Sequence, residues 1–272
     1  MKQPGNGLSL NRREWLAAAS GAGLGRRALA ASASPVAVAR CPSYGAGVLP
    51  VMRKMFDQLG GIGKLVAGKT VAVKINMANP LRDRTGYRPA WFSRWSHPDV
   101  IGAAVSLFGQ AGAGRIRILE GSSEDAHPLE ENFIIGGWEP TPLLNAARNV
   151  EMENTSALGY GQQYKRMMAP GGGIIYPGFD LNHSYAECDF FVSITKLKEH
   201  QLAGVSLSMK NMIGITPVTI YGDAAGFEQP ADQPFGLRTI LHTGRRQPSE
   251  TAPAEKDPAS PREPGYRIPR VI

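Results

Sequence analysis

Residues 188–217 read CDFFVSITKLKEHQLAGVSLSMKNMIGITP, and this stretch decides the fold. It opens with an apolar run, Phe190 to Ile194, of the kind a buried strand needs. The run breaks into charge, with Lys196, Lys198 and His200 inside five residues. Lys210 and Asn211 follow, and Gly214 and Pro217 close the segment. Apolar strands that end abruptly in charge belong to open α/β sheets, which hold ligands beyond the carboxyl ends of their strands. Between the two polar clusters, Val205, Met209 and Met212 stand at i, i+4 and i+7, the spacing of one helix face. Lys210 is displaced from that stripe and free to point toward the strand ends.

Upstream, the same grammar repeats. Val48 to Leu59 carries apolar residues at helical spacing and stops at Gly60 and Gly61. VAVKIN at 71–76 is a short strand, and side-chain alternation puts Lys74 and Asn76 on one face at its end. A solvated edge-strand position is the plain alternative for Lys74. His97, Pro98 and Asp99 open a helix whose buried stripe is Val100, Ile101, Ala104, Val105 and Phe108. RIRILE at 115–120 is the next strand, with Glu120 at its end as a metal ligand, a base or a lysine's salt-bridge partner. Helix then strand, twice over, predicts a mostly parallel α/β sheet with helices on both faces, a Rossmann-like three-layer arrangement. Between 128 and 177 the signal weakens to a short helix near Thr141–Ala147, a strand near Val150–Glu153 and an edge strand near Ile174–Gly178.

Two stretches invite over-reading. GKLVAGKT at 63–70 satisfies the phosphate-loop pattern, but that motif needs a strand before it and a helix after it. Here a helix precedes and a strand follows, so the stretch reads as a polar turn. The loop at 77–96, with Arg82, Arg84, Arg88, Trp91, Phe92, Arg94 and Trp95, is long enough to cover a site. Packing of its tryptophans on a neighbouring element is the equal alternative.

The termini have a different character. SLNRREWL at 9–16, a weakly apolar run and then small residues make a twin-arginine signal over residues 1–33, with possible cleavage after Ala30, Ala33 or Ala39. The apolar run is too short for a stable membrane span. The expectation is export through the twin-arginine translocase to the bacterial periplasm or exterior. Residues 34–47 read as a linker, 48–240 as the α/β domain and 241–272 as a Pro-rich loop entering a truncated C-terminal part.

Composition excludes more than it identifies. The net charge of +7 suggests nucleic acid, yet residues 1–40 alone carry a net +5. The remainder is nearly neutral, with no basic helix, so no nucleic-acid partner is expected. Cys41 and Cys188 are too few for a four-cysteine iron–sulfur cluster, and any other cofactor is left open. Cys188 reads as a small buried residue at a strand edge.

At these residues the chain resembles the bacterial and archaeal family catalogued as domain of unknown function 362. The likeness lies in VAVKIN at 71–76, His97-Pro98 with its helix, GAGRIRILEG at 112–121 and, above all, Lys196 to His200 through Lys210 to Gly214. It implies an α/β domain over roughly 48–240 and candidate residues, but no reaction. Some members add ferredoxin-type cysteine clusters, which this chain lacks.

The polar residues themselves point to a small anionic ligand, carboxylate or phosphate. In that reading Lys196, Lys198 and Lys210 hold the anion, and Asn76 and Asn211 orient it. Glu120 joins the binding set. His200 is the general acid/base because its ordinary pKa is near neutral, and Lys74 is a second charge or base. The alternative is a non-catalytic binding or maturation protein for an anion or metal centre. His200, His97 and Glu120 have no metal-ligand spacing to favour the metal version. A third possibility is that the lysines are ordinary surface residues.

Overall fold

The computed structural model describes residues 34–77, 87–88, 92, 94–121, 128–156, 164–172, 178–200, 204–217 and 221. Residues 1–33, read above as a signal, Arg82, Arg84, Trp91, residues 174–177 and everything beyond residue 221 lie outside them. The chain divides into Met1–Val36 and Ala37–Ile272, and every element below belongs to the second unit.

Four parallel strands form the centre: β1 (Thr70–Lys74), β2 (Arg115–Glu120), β3 (Val150–Asn154) and β6 (Phe190–Ser193). Their order across the sheet is β3-β2-β1-β6. Helix α1 (Val48–Gln58) and the single turn α2 (Gly63–Val66) precede β1. The phosphate-loop pattern therefore does run helix then strand. Helix α3 (Pro98–Gln110) makes the crossover from β1 to β2.

Alternation sorts the strand side chains onto two faces. Val71, Val73, Ile116 and Ile118 share a cluster with Ile101, Val105 and Phe108 of α3, and Met52 and Phe56 of α1 pack against it. Ala72 and Leu119 face the other way, onto Tyr185, Phe191 and Ile215. Tyr185 belongs to the short helix α6 (His183–Ala186). Both faces are thus covered, as an all-parallel sheet requires. The start of α3 obeys local chemistry: the Asp99 amide donates to His97 Nδ1 at 3.2 Å, and Pro98 occupies the first turn.

Between β2 and β3 lie α4 (Leu129–Ile135) and α5 (Thr141–Leu144). The weak middle region also contains β4 (Tyr164–Met168), paired antiparallel with β5 (Gly178–Asn182) in a separate two-stranded sheet. Trp95, from the long loop, is fully buried in the core edge-on to Trp138, so for this tryptophan the packing alternative holds.

Two expectations need correction, and the plain alternative for Lys74 is set aside. Lys74 is not a solvated edge residue; β1 is an interior strand and Lys74 is completely buried. Phe190–Ser193 is half-buried rather than buried, because among the described residues it has a strand on one side only. The helix face at Val205, Met209 and Met212 does not exist. Val205 lies in β8 (Gly204–Ser206), hairpinned to β7 (Lys198–His200) with Lys198 opposite Ser206. Gly204, the first residue of β8, has a left-handed φ of +73° that glycine adopts without strain. Helix α7 covers only Ser208–Asn211 and tightens into a 3-10 turn over Met212–Ile215. Val205 and Met209 are exposed, so their helical spacing recorded no buried face.

Candidate functional site

The first crossover leaves β1 toward β2, whereas β6 returns to the opposite side of β1. The strand order therefore reverses at β1 and β6, and their carboxyl ends flank the crevice where open α/β sheets bind ligands. Lys74 and Asn76 come from β1 and the residues just after it, Glu120 from the end of β2 and Ser193 from the end of β6. Asn211 closes the set from the end of α7.

Lys74 is the buried centre. Its Nζ donates to Glu120 Oε1 at 2.6 Å, to the Ile75 carbonyl at 2.6 Å and to Asn211 Oδ1 at 3.2 Å. Three acceptors, one of them a carboxylate, suit the three N–H bonds of an ammonium. The Met77 amide donates to Glu120 Oε2 at 2.7 Å, and the Gly121 amide donates to Oε1 at 2.9 Å. Glu120 forms a salt bridge with a lysine, one of the three roles open to it. That network engages Lys74 in the interior.

Asn211 ties the two strands of the switch point together. Its Oδ1 accepts from Lys74 Nζ and from Asn76 Nδ2 at 3.2 Å. Its Nδ2 donates to Ser193 Oγ at 2.9 Å. Asn76 passes the chain outward, because its Oδ1 accepts from Lys198 Nζ at 2.9 Å. Ser96 anchors the same junction: its Oγ accepts from the Asn76 amide at 3.0 Å and donates to the Ile194 carbonyl at 2.6 Å.

Lys198 sits where this network reaches the outside. Besides Asn76 Oδ1, its Nζ has one further acceptor, the Arg94 carbonyl at 2.8 Å. Both acceptors are neutral, and among the described residues no carboxylate is in contact with it. Burial lowers its pKa to about 8, with Arg94, Lys196 and Lys210 adding like-charge repulsion and Glu120 opposing. Lys196 donates to the Phe92 carbonyl at 2.9 Å and lies 5.7 Å from the centre of the Tyr44 ring. Its pKa is also lowered, by burial. Tyr44 stacks on His97 with ring centres 3.5 Å apart, and the Gly45 amide donates to Asp99 Oδ2 at 2.7 Å. The stretch read as a linker thus ends by docking on the start of α3. Burial also lowers the His97 pKa, with Asp99 opposing and Lys196 adding to the shift.

The structure brings together Lys74, Asn76, Glu120, Lys198 and Asn211, with Lys196 and Lys210 close enough to act on Lys198 by charge. His200 is on β7, but its side chain lies outside the described residues. Ser193 and Ser96 were missed. Ser193 had a legible signal, a polar residue at the end of an apolar strand, whereas Ser96 had none. Among the described residues no group of His, Cys, Asp and Glu could hold a metal ion. A cavity of about 450 Å³ lies elsewhere, lined by Leu49, Gly102, Trp138 and Leu143 among others.

The family model described as Domain of unknown function (DUF362) matches residues 71–229, more than half of the chain. The chain belongs to the DUF362 family. The matched span contains the four-stranded parallel sheet, Thr70 at the start of β1 excepted, and the described polar network of this DUF362 chain. No curated protein and no solved structure matches the chain. Among the described residues of this DUF362 chain, no helix is long and apolar enough to cross a membrane.

Proposed function

We propose that the crevice at the ends of β1 and β6 binds a small anion, a carboxylate or phosphate, and that the protein is an exported enzyme acting on it. The observation that carries this reading is Lys198. A part-buried ammonium, with two neutral acceptors and no carboxylate in contact among the described residues, has an unmet demand for negative charge. Lys196 and Lys210 add charge at the same mouth. Asn76 and Asn211 set the position of Lys198 through the buried Lys74–Glu120 pair. His200 is the proposed general acid/base from its place on β7. The twin-arginine pattern at Arg12 and Arg13 supports export.

Calorimetric titration with inorganic phosphate and with acetate at pH 7 tests the binding. Lys198→Met is expected to weaken phosphate binding about ten-fold, roughly one charge-assisted hydrogen bond. An unchanged affinity removes Lys198 from the site, and no binding by either anion removes the proposal.

The pH dependence has two opposite arms. Sulfate keeps its charge from pH 6 to 10, so its affinity follows the protein, and it is expected to fall as pH rises through about 8 and Lys198 loses its proton. The ligand-free protein is expected to behave the other way. Between about 8 and the ordinary 10.5 the unfolded chain keeps the Lys198 proton and the folded chain releases it. Stability from this group therefore rises with pH over that window. Urea denaturation with and without sulfate reads both arms.

A further inference from the structure

The two lysines of the site differ in how many acceptors meet them. Lys74 Nζ donates to at least three, including a carboxylate, the pattern of an ammonium. Among the described residues Lys198 Nζ has two, both neutral, Asn76 Oδ1 and the Arg94 carbonyl. A neutral amine has two N–H bonds and one lone pair. Two acceptors satisfy those two bonds and leave the lone pair unengaged. We propose that Lys198 is a nucleophilic amine that condenses with the carbonyl carbon of a small oxo-acid to form an imine.

The proposal rests on the anion-site reading, because Lys196 and Lys210 are the charges that would hold the substrate's carboxylate. It also names the substrate class: a molecule with a carboxylate next to an aldehyde or ketone. The step balances without any added reagent. The Nζ lone pair forms the new C–N bond, and the carbonyl π pair moves to oxygen. That oxygen takes up the two amine protons and leaves as water, and the C=N bond replaces the C=O bond. The surroundings favour such an amine. Desolvation together with neighbouring cations is a known way to keep a lysine neutral enough to attack a carbonyl. Arg94, Lys196 and Lys210 supply the cations here, and the pKa of about 8 agrees with the geometry. At pH 8 such a lysine is half neutral, about a hundred-fold more than an ordinary surface lysine. Asn76, fixed by Asn211, keeps the amine aimed in one direction.

The experiment uses the full chain, pyruvate as probe and sodium cyanoborohydride at pH 8 to reduce any imine to a stable secondary amine. Intact mass and peptide mapping then locate the adduct. The expected result is one adduct on Lys198, lost in Lys198→Arg and suppressed by inorganic phosphate in the unsubstituted protein. The phosphate competition needs no variant, so the test survives if Lys198→Arg folds badly. Adducts spread over many lysines in proportion to exposure, or an adduct that phosphate does not suppress, overturn the imine. Phosphate titration of the same sample separates the two ideas. Binding without an adduct at Lys198 sinks the nucleophile and keeps the anion site, whereas no binding sinks both.

Discussion

Lys74→Met is expected to lower the stability of the protein by about 3–5 kcal/mol, the usual result of breaking a buried ion pair from one side. Lys74 and Glu120 have side chains 1% and 4% exposed, so water contributes little to either charge. Removing the ammonium leaves the Glu120 carboxylate with the Met77 and Gly121 amides but without its ion-pair partner. It also deprives Asn211 Oδ1 and the Ile75 carbonyl of a donor. Urea denaturation of the ligand-free protein measures the loss. Adding Glu120→Gln supplies the control. If the pair behaves as one unit, the double variant is more stable than the sum of the two single losses predicts, by about 0.5–3 kcal/mol. A loss below 1 kcal/mol for Lys74→Met, or strict additivity, sinks the account of the pair as a sealed unit.

Gly214→Ala is expected to cost about 1–3 kcal/mol, the range for overfilling a packed site. A Cβ at residue 214 would stand 2.8 Å from Lys74 Nζ, 3.0 Å from its Cε and 3.3 Å from Glu120 Oε1. A lysine tip normally swings aside at little cost. This one is held by three acceptors in a dry site, so the methyl group must displace either the ion pair or the 3-10 turn that carries Gly214. In the Lys74→Met background the clash is with an uncharged and unanchored side chain. The added cost of Gly214→Ala is then expected to shrink, and the same denaturation experiment reads it. Equal costs in both backgrounds mean that the turn yields and the ion pair does not.

How much of this was legible in the sequence depends on the range of the physics involved. Alternation along one strand is a local rule, and it correctly put Lys74 and Asn76 on one face. The parallel α/β sheet was legible for the same reason, since apolar runs and crossover helices each declare themselves within about a dozen residues. The Val205, Met209 and Met212 stripe failed because three apolar residues also fit a hairpin followed by a tight turn, and spacing does not reveal which residues are exposed. The state of Lys74 was hidden as well. Whether β1 is an interior strand depends on β6, which pairs with it from more than a hundred residues away. The closeness of Gly214 to Lys74 was invisible, because a glycine at a turn looks the same whether or not a side chain fills the space where its Cβ would be. The contrast between Lys74 and Lys198 was equally hidden, since it is a difference in neighbours and not in residue type.

The switch-point strand β6 has a consequence for the order of folding. Pairing of β1 with β2 closes a loop of about forty residues, whereas pairing of β1 with β6 closes one of about a hundred and twenty. Long loops are closed at greater entropic cost, and contacts distant in sequence form late. The Asn211 bridge from Ser193 to Lys74 depends on the longer closure, and so does the hydrogen bond from Lys198 to Asn76. The crevice therefore comes into being only when the chain has completed its slowest pairing. A ligand that needs this crevice holds closed the last contacts made and makes itself felt in the rate of unfolding more than in the rate of folding.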